Sequence, residues 1–249
     1  RFDVLSVLRT VRLRATRSGR FDVLRTVRCT QPNALPTELR AQLEEHWASI
    51  PKVDIPEILL DIRTAPKREK VYADHGTGAK KGICVFQATL DEIPDGYYFI
   101  GQVAVGQTES VDVPKSSVIL VKPLLANLIK PPLYYESKWN DKDSGGKIDC
   151  SFWRVVAPEG YVALGDVVTN NYSEPSSKFT AKFACIRKDL LVPGKFTNLW
   201  DDRGSGAKLD GSAWQVDGPG LAGLFKVQSG YQEPAMPAFV LPAKLVQKK

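Results

Sequence analysis

The sequence predicts an all-β fold in which one structural unit is repeated three times, preceded by a short basic arm and a single helix. Two observations lead to this prediction. A Gly-, Ser- and Asp-rich segment framed by two aromatic residues recurs three times after residue 70. Each copy is followed by a segment with Pro and Gly and then by an apolar run of strand length. The predicted boundaries are 1–34 for the arm, 35–69 for the helix and a connector, and 70–249 for the repeats.

Composition and charge exclude several classes of protein. The chain has 249 residues, with 43% hydrophobic and 25% charged residues, which is typical of globular proteins. Its net charge of +6 arises within residues 1–30, which hold eight arginines and two acids, so the remainder is neutral. A neutral body does not form a broad phosphate-binding face, which argues against a specific nucleic-acid partner. No apolar run approaches the ~20 residues of a membrane helix, which indicates a soluble or membrane-peripheral protein.

The basic arm contains a near-duplication, RFDVLSVLRTVR at 1–12 and RFDVLRTVR at 20–28. Each copy mixes apolar residues with Arg and suits an edge strand or a short amphipathic helix. The Arg-rich, acid-poor composition also resembles an organellar transit peptide. We interpret the segment as a lightly attached arm whose clustered arginines favour contact with a polyanion such as anionic lipid.

The only helix is predicted over 37–49, where apolar residues recur at every fourth position on one face: Leu39, Leu43 and Trp47. The stretch 51–66 is punctuated by prolines and predicts an extended connector that lies along the next domain.

The second and third repeats agree closely in sequence. Residues 139–153 and 200–214 both begin and end with Trp and share the pattern W-x-D-x-x-S-G between them, whereas the first copy runs from Tyr72 to Phe86. The Gly- and Ser-rich centre predicts a turn, because Gly accepts a positive φ and Asp bonds to nearby backbone N–H groups. Each copy predicts four strands: one at each aromatic, one through the Gly-Tyr-x-x-Leu-Gly segment, and a closing apolar strand.

Three units of four strands favour a β-prism, in which three four-stranded antiparallel sheets face a common pseudo-threefold axis. A propeller generally needs at least ~4 blades to close. The predicted repeats are 70–133, 134–195 and 196–249. Their closing strands are Val118–Val121, Phe183–Ile186 and Phe239–Leu241.

The string W-x-D-x-G-S-G-A-x-x-D-x-S-x-W, followed by P-x-G-Y-x-x-L-G-x-V, resembles the repeat of the vacuolar protein sorting-associated protein 62 family. Similar repeats occur in an insert of plant lipid-transfer proteins related to vacuolar protein sorting-associated protein 13, and comparable prism modules form the tails of some perforin-like toxins. The resemblance covers residues 70–249. It implies recognition at a membrane and does not imply an enzymatic activity.

The first copy departs from this motif. It has Tyr72 and Phe86 at the Trp positions, and Ala73 and Gly82 where acids are expected. The third copy has Leu221 in place of the Tyr. A site built on these positions is therefore weakened in the departing copies.

The acidic turns, together with the tyrosines of the Gly-Tyr segments, are the candidate binding residues. Their carboxylates and outward backbone amides suit sugar hydroxyls or lipid head groups. Calcium is an open alternative, although it takes ~6–8 oxygen ligands and one turn offers two or three acids. The other alternative is that each Asp caps its own turn. The candidates are Asp74, Gly76, Gly78, Tyr97, Asp141, Asp143, Ser144, Gly145, Tyr161, Asp201, Asp202, Gly204, Ser205 and Gly206.

Four tryptophans recur at symmetric positions, and we predict that most of them fill the core rather than stack on sugars or enter a bilayer. They are Trp139, Trp153, Trp200 and Trp214.

Three cysteines lie in apolar stretches and are predicted to be core thiols: Cys84, Cys150 and Cys185. Free thiols slightly favour a reducing compartment, an inference that a Cys84–Cys150 disulfide would remove. The repeated acids Asp149 and Asp210, next to Ser151 and Ser212, are predicted to make inter-strand hydrogen bonds inside the repeat.

The sequence does not favour an enzyme. Its two histidines, His46 and His75, stand beside no recognisable nucleophile, and the chain has no phosphate-binding loop or dinucleotide fingerprint. We therefore predict a non-catalytic module that binds membrane lipid head groups or glycans and needs no cofactor. The alternative is a protein-assembly module that docks through the arm and the helix.

Overall fold

The computed structural model describes residues 12–15, 21–26, 59–106, 118–218 and 223–242. The chain forms two compact units, 1–55 and 56–249. In the first unit, β1 (Arg12–Ala15) pairs antiparallel with β2 (Phe21–Thr26), so this part of the arm adopts the strand alternative. The helix predicted over 37–49 lies outside the described residues. Within the described ranges, no helix combines the length and apolarity needed to cross a membrane.

The second unit is built almost entirely from short strands. In chain order they are β3 (Leu60–Thr64), β4 (Arg68–Ala73), β5 (Cys84–Ala88), β6 (Tyr98–Phe99), β7 (Val103–Val105), β8 (Ile119–Pro123), β9 (Ile129–Lys130), β10 (Tyr134–Asn140), β11 (Ser151–Val156), β12 (Tyr161–Val162), β13 (Val167–Thr169), β14 (Cys185–Arg187), β15 (Val192–Pro193), β16 (Lys195–Asp201), β17 (Gly211–Asp217), β18 (Phe225–Ser229) and β19 (Phe239–Val240). Among the described residues of this unit, the strands are accompanied by one α-helix, α1 (Ser177–Lys182), and two 3₁₀ turns, Leu90–Glu92 and Lys188–Leu190.

Each repeat contributes one long antiparallel sheet and one short one. The long sheets have the orders β4-β5-β7, β10-β11-β13 and β16-β17-β18. The short sheets are β3-β8-β6, β12-β14-β9 and the pair β15-β19. In the third repeat, residues 219–222, which follow β17, lie outside the described residues.

This pairing confirms the all-β prediction and corrects the predicted four-stranded sheets, since the described sheets have two or three strands. The chain between β6 and β7 bends at Gly101, whose φ is 153°. Its backbone also comes so close to the second repeat that a Cβ at Gly101 would lie 3.1 Å from the Gly165 Cα. The Gly-Tyr segment is therefore divided between two sheets. In addition, one short strand before each long hairpin was not predicted from the sequence: β3, β9 and β15.

The register of each long hairpin shifts at the same place, just before the first aromatic. The shifts lie between Lys70 and Tyr72, Ser137 and Trp139, and Asn198 and Trp200. An extra residue at this point bends the strand and re-aims the side chain that follows it. The three aromatic residues enter one shared core as a result.

That shared core contains two of the four tryptophans that were predicted to be buried. Trp139 and Trp200 are fully buried with ring centroids 5.2 Å apart, and Phe152 lies 4.9 Å from Trp139. Trp153 is buried in a neighbouring cluster and Trp214 is half-buried. The core prediction is confirmed for Trp139, Trp153 and Trp200.

The three cysteines of the second unit are buried and form no disulfide: Cys84, Cys150 and Cys185. Their predicted role as core residues is confirmed, and Cys84 and Cys150 are not joined by a disulfide. Desolvation raises the pKa of the Cys185 thiol to about 12, as expected for a packing residue.

Helix α1 was not predicted from the sequence. The Ser176 hydroxyl caps it by accepting a hydrogen bond from the Phe179 backbone N–H at 3.2 Å. Phe179 packs edge-on against Phe99 of the first repeat, with ring centroids 4.8 Å apart. This short helix therefore covers part of the core between two repeats.

A second link between repeats is polar. Gln102 and Asp166 each lie directly before the third long strand of their repeat, and both are buried. The Gln102 side chain bonds both backbone groups of Val168 in the second repeat, at 2.6 and 2.9 Å. Asp166 in turn accepts from the backbone N–H of Val227 in the third repeat at 2.8 Å. Each bond crosses from one repeat to the next, so the repeats are tied together.

Candidate functional site: a ring of three turns

The candidate residues lie mainly in three equivalent turns, 74–82, 141–149 and 202–210, each of which joins the two long strands of its repeat. Every turn opens with an Asp whose backbone N–H donates to the carbonyl nine residues later. These bonds are Asp74 to Ile83 (3.0 Å), Asp141 to Cys150 (3.1 Å) and Asp202 to Gly211 (3.2 Å). The three turns therefore share one frame.

The residues that recur in the three turns stabilise the conformation of each turn. Two positions after the opening Asp, the backbone is left-handed, with φ of 84° at Gly76, 68° at Asp143 and 94° at Gly204. Gly and Asp are among the residues that tolerate this conformation. The next residue is Ser or Thr, whose hydroxyl accepts from the backbone N–H two residues further on, as Ser144 does from Gly146 at 3.1 Å.

The three turns bond to one another in a closed ring. Three lysines donate their backbone N–H groups to a carbonyl of another turn: Lys80 to Arg203 (3.1 Å), Lys147 to His75 (3.0 Å) and Lys208 to Lys142 (3.3 Å). The backbones come so close that a Cβ at Gly78 would lie 2.4 Å from the Gly204 carbonyl oxygen. Glycine at position 78 is thus required by contact between repeats.

The opening carboxylates point inward. Asp74, Asp141 and Asp202 are all buried, and two of them accept from a Trp of another repeat. The Trp200 indole N–H donates to Asp74 at 3.1 Å, and the Trp139 indole N–H donates to Asp202 at 2.9 Å. The geometry of all three matches the alternative in which each Asp caps its own turn.

Asp141 shows the electrostatic balance of such a buried group. Desolvation raises the pKa of Asp141, while the hydrogen bond from the Cys150 backbone N–H, at 2.8 Å, acts to lower it. The carboxylate is thus stabilised by the turn itself rather than by solvent.

The other predicted turn residues are divided between surface and interior. Asp143 is exposed and pairs with Lys208 at 2.7 Å, whereas Asp201 is buried and pairs with Lys81 at 3.0 Å and with Arg203 at 3.3 Å. The hydroxyls of Ser144 and Ser205 lie inside their turns. The predicted glycines expose their backbones at the surface of the ring: Gly76, Gly78, Gly145, Gly204 and Gly206.

The two predicted tyrosines do not join the turns. The Tyr97 hydroxyl donates to Asp61, and its ring lies under the Arg63 guanidinium at 4.7 Å. The Tyr161 hydroxyl donates to the Asn127 carbonyl at 2.7 Å. The partner of Tyr97 lies in β3, and the partner of Tyr161 lies just before β9. Neither hydroxyl bonds to a residue of the acidic turns.

A different pair of tyrosines, missed by the sequence analysis, does reach the turns. Tyr172 donates its hydroxyl to Asp149 at 3.1 Å, and Tyr231 donates to Asp210 at 2.9 Å. Asp149 and Asp210 thus make hydrogen bonds within their own repeats, as predicted, but the partner is a tyrosine that follows the third long strand. The prediction that the two acids lie inside the repeat is wrong, because both are exposed. A Tyr two or three residues after the end of the third long strand in both repeats is the signal that could have identified these tyrosines.

The exposed side chains of the three turns, which we call the turn face, are mostly basic. Three turn acids are exposed (Asp143, Asp149 and Asp210), against six exposed cations. Ile148 and Leu209, each next to a lysine, are exposed apolar residues with 39% and 46% of their surface accessible. The cations are Lys80, Lys81, Lys142, Lys147, Arg203 and Lys208.

The described part of the chain contains no group of three or more His, Cys, Asp and Glu side chains placed to hold a metal ion. The turn face offers hydrogen bonding and charge from backbone amides, six cations and three carboxylates.

Comparison with known proteins gives a family model and similar solved structures. The family model described as vacuolar protein sorting-associated protein 62 matches residues 30–210. The crystal structure of GNIP1Aa from Chromobacterium piscinae is similar with a TM-score of 0.59 and 28% sequence identity. The match covers 82% of this chain and 40% of the GNIP1Aa chain, so this chain spans less than half of that protein's length. No curated protein matches.

Proposed function

The chain belongs to the vacuolar protein sorting-associated protein 62 family, and from this premise we propose that it is a non-catalytic recognition module that binds membrane lipid head groups or glycans through the turn face. The charge of this face favours anionic lipid head groups as the main target. Neither the name of the family nor that of the solved relative refers to a catalytic activity.

One observation carries the proposal: the ring places an exposed lysine of each repeat at an equivalent position and buries the opening carboxylates beneath. The backbone N–H groups of Lys80, Lys147 and Lys208 are fixed by the bonds that close the ring. Their side chains are exposed, while Asp74 and Asp202 are occupied by indole N–H groups. An approaching anion therefore meets cations first.

Exposed apolar residues beside the lysines suit a lipid surface. Ile148 follows Lys147 and Leu209 follows Lys208, so two repeats present a cation and an apolar side chain together. Peripheral membrane proteins combine these two features, because apolar burial and attraction to anionic lipids add to each other. A binding face without exposed apolar groups would rely on charge alone.

Three equivalent contacts also provide multivalency. Each Lys near an anionic bilayer contributes on the order of 1 kcal/mol, so one contact is weak by itself. Three contacts held on one rigid ring act together, because the second and third bind at a high effective concentration.

The test is sedimentation of the full chain with liposomes of phosphatidylcholine, with and without phosphatidylserine. The triple variant Lys80→Gln, Lys147→Gln and Lys208→Gln should bind the anionic liposomes about a hundredfold more weakly. The matched control is Lys67→Gln, Lys130→Gln and Lys195→Gln, since these exposed lysines lie before or at the starts of the long hairpins, about 20 Å from the turns. The control should bind like the wild type. Equal loss in both triple variants would overturn the assignment to the turn face.

Calcium provides a second arm of the same test. The opening carboxylates are already bonded to N–H groups, so calcium should leave liposome binding unchanged. Binding that needs calcium would show that the carboxylates act instead as metal ligands.

A second candidate function is protein assembly, which one observation favours. At the start of β10, Leu133 and Tyr134 are exposed over 63% and 53% of their surface. Exposed apolar residues of this size mark contact sites when they cluster. If assembly is the function, Leu133→Ser with Tyr134→Ser should abolish capture of a partner protein and leave liposome binding intact.

A further inference from the structure

The second repeat carries three exposed or half-buried side chains that the ring does not use. The Tyr172 hydroxyl donates to the Asp149 carboxylate at 3.1 Å, and the Lys142 ammonium lies 4.9 Å from the centre of the Tyr172 ring. Tyr172 keeps 39% of its surface accessible. An aromatic ring, a carboxylate and a cation therefore stand together on the turn face.

The third repeat carries the same arrangement. The Tyr231 hydroxyl donates to Asp210 at 2.9 Å, and the Arg203 guanidinium lies 4.0 Å from the centre of the Tyr231 ring. Arg203 follows Asp202 as Lys142 follows Asp141, so the cations come from the same position of the turn. Two repeats thus present one chemical pattern at equivalent places.

The first repeat lacks this pattern. Gly82 stands where the acid would be, His75 stands at the position of the cation, and residues 107–117 contain no tyrosine. The first turn nevertheless closes the ring through the backbone N–H of Lys80, and its Asp74 carboxylate accepts a hydrogen bond from the Thr77 hydroxyl of the same turn. Because the turn forms without the tyrosine, acid and cation, these three groups are not needed for its architecture.

The chemistry of the three groups matches a ring with several hydroxyls. A hydroxyl both donates and accepts, so neighbouring hydroxyls on one ring can donate to a carboxylate and accept from a cation. Partial desolvation and the bonds to nearby carboxylates raise the pKa of the Tyr172 and Tyr231 hydroxyls. Each phenol therefore keeps its proton and holds the acid in place, while its ring edge offers an apolar surface to ring C–H groups.

We propose that Tyr172, Lys142 and Asp149 form one subsite, and Tyr231, Arg203 and Asp210 a second, for a ring that bears several hydroxyl groups, such as a hexose or an inositol. The proposal rests on the proposed function, since it names the head group that the turn face selects. It predicts two such subsites in the chain, in the second and third repeats.

The experiment compares liposomes of equal charge. Phosphatidylserine and phosphatidylinositol carry the same net charge, but only the second presents an inositol ring, and galactosylceramide presents a hexose without charge. The full chain should bind phosphatidylinositol or galactosylceramide liposomes at least about tenfold more tightly than the matching liposomes without the ring. A preference for the first identifies an inositol source, and a preference for the second identifies a glycan.

Substitutions then test whether the preference for liposomes that present the ring arises from the two subsites. Asp149→Ala and Asp210→Ala should each reduce it, and the double variant should abolish it while phosphatidylserine binding persists. The control is Asp91→Ala with Asp189→Ala, which removes two exposed acids that lie outside the turns and should keep the preference. Thermal unfolding of each variant shows whether the fold is retained.

Two results would overturn the proposal: equal binding to phosphatidylserine and phosphatidylinositol with no binding to galactosylceramide, or a preference that survives the double substitution. Failure of the proposed function gives a different result from these two, namely no binding to any liposome. If no liposome binds, NMR titration of the full chain with free galactose and myo-inositol decides. Shifts at Tyr172 and Tyr231 would support the subsites without the membrane, and no shifts would overturn them.

Discussion

The Trp139 indole of the second repeat donates its N–H to the Asp202 carboxylate of the third repeat at 2.9 Å. Trp200 of the third repeat makes the corresponding bond to Asp74 of the first, at 3.1 Å. The first repeat has Tyr72 at this position, and its hydroxyl approaches Asp74 of its own repeat at 3.5 Å. Each carboxylate that accepts an indole therefore stabilises its own turn and the neighbouring repeat together.

Replacing Asp202 should consequently destabilise the whole second unit. Asp202→Ala leaves the Gly211 backbone N–H, which donates to Asp202 at 3.1 Å, without its acceptor, and removes one of the two acceptors of the Trp139 indole. Each buried unpaired donor costs about 1–3 kcal/mol, so we expect a loss of about 3 kcal/mol in the free energy of unfolding. Urea denaturation measures it, with the exposed Asp210→Ala as control. Equal stability of the two variants would contradict the interlock.

The frame of the turns could be predicted from the sequence, but the direction of each carboxylate could not. Asp141 and Asp143 are two residues apart in one turn, yet the first is buried and the second is exposed. The difference arises because Asp143 adopts a left-handed backbone conformation and the ring closes against other repeats. The residues next to Asp141 and Asp143 in sequence do not predict which contacts form between repeats.

The candidate tyrosines show the same limit. The sequence favoured Tyr97 and Tyr161 because they belong to a repeated Gly-Tyr segment. Tyr172 reaches Asp149 only because β13 pairs with β11, placing Thr169 opposite Ser151. That pairing depends on dividing the Gly-Tyr segment between two sheets, which the prediction of four-stranded sheets did not include.

Closure of the ring predicts a strict requirement for glycine at position 78. A Cβ there would lie 2.4 Å from the Gly204 carbonyl oxygen. This oxygen is part of the backbone, so the two turns would have to move apart to relieve the clash. We expect Gly78→Ala to lower the free energy of unfolding by about 1–3 kcal/mol. Gly106→Ala is the matched control, because its Cβ would meet its nearest neighbour at 3.5 Å, an ordinary contact. Thermal unfolding of both variants gives the comparison, and a neutral Gly78→Ala would show that the turns are not in contact.

The buried ion pair between repeats predicts unequal effects of its two partners. Lys226 lies 3.0 Å from Asp166, which also pairs with Arg154 at 2.7 Å and accepts two backbone N–H groups. Asp166→Ala leaves a buried cation unpaired and should cost about 3–5 kcal/mol. Lys226→Met should cost less, because Asp166 keeps Arg154 and two backbone N–H groups as partners and the desolvation penalty of the Lys226 ammonium is removed. Chemical denaturation that ranks the two variants in the opposite order would contradict this account.

Burial of Tyr135 predicts how stability changes at high pH. Desolvation raises the pKa of Tyr135 to about 12, and its hydroxyl shares a hydrogen bond of 2.9 Å with Thr180. An unfolded Tyr ionises near pH 10, so between about pH 10 and 12 the folded chain binds one proton more than the unfolded chain at this residue. The stability contribution is therefore complete below pH 10 and is lost as the pH rises through this window, by about 1.4 kcal/mol per pH unit.

Removing the phenol isolates that contribution. Tyr135→Phe should be about 1 kcal/mol less stable at pH 7, since the bond to Thr180 is lost, but its stability should fall less steeply above pH 10. Tyr134→Phe alters the exposed neighbouring ring and should follow the wild-type curve. Urea denaturation at a series of pH values distinguishes them. Parallel curves for wild type and Tyr135→Phe would mean that the Tyr135 hydroxyl ionises as freely in the folded chain as in the unfolded one, and that the core beneath α1 admits solvent.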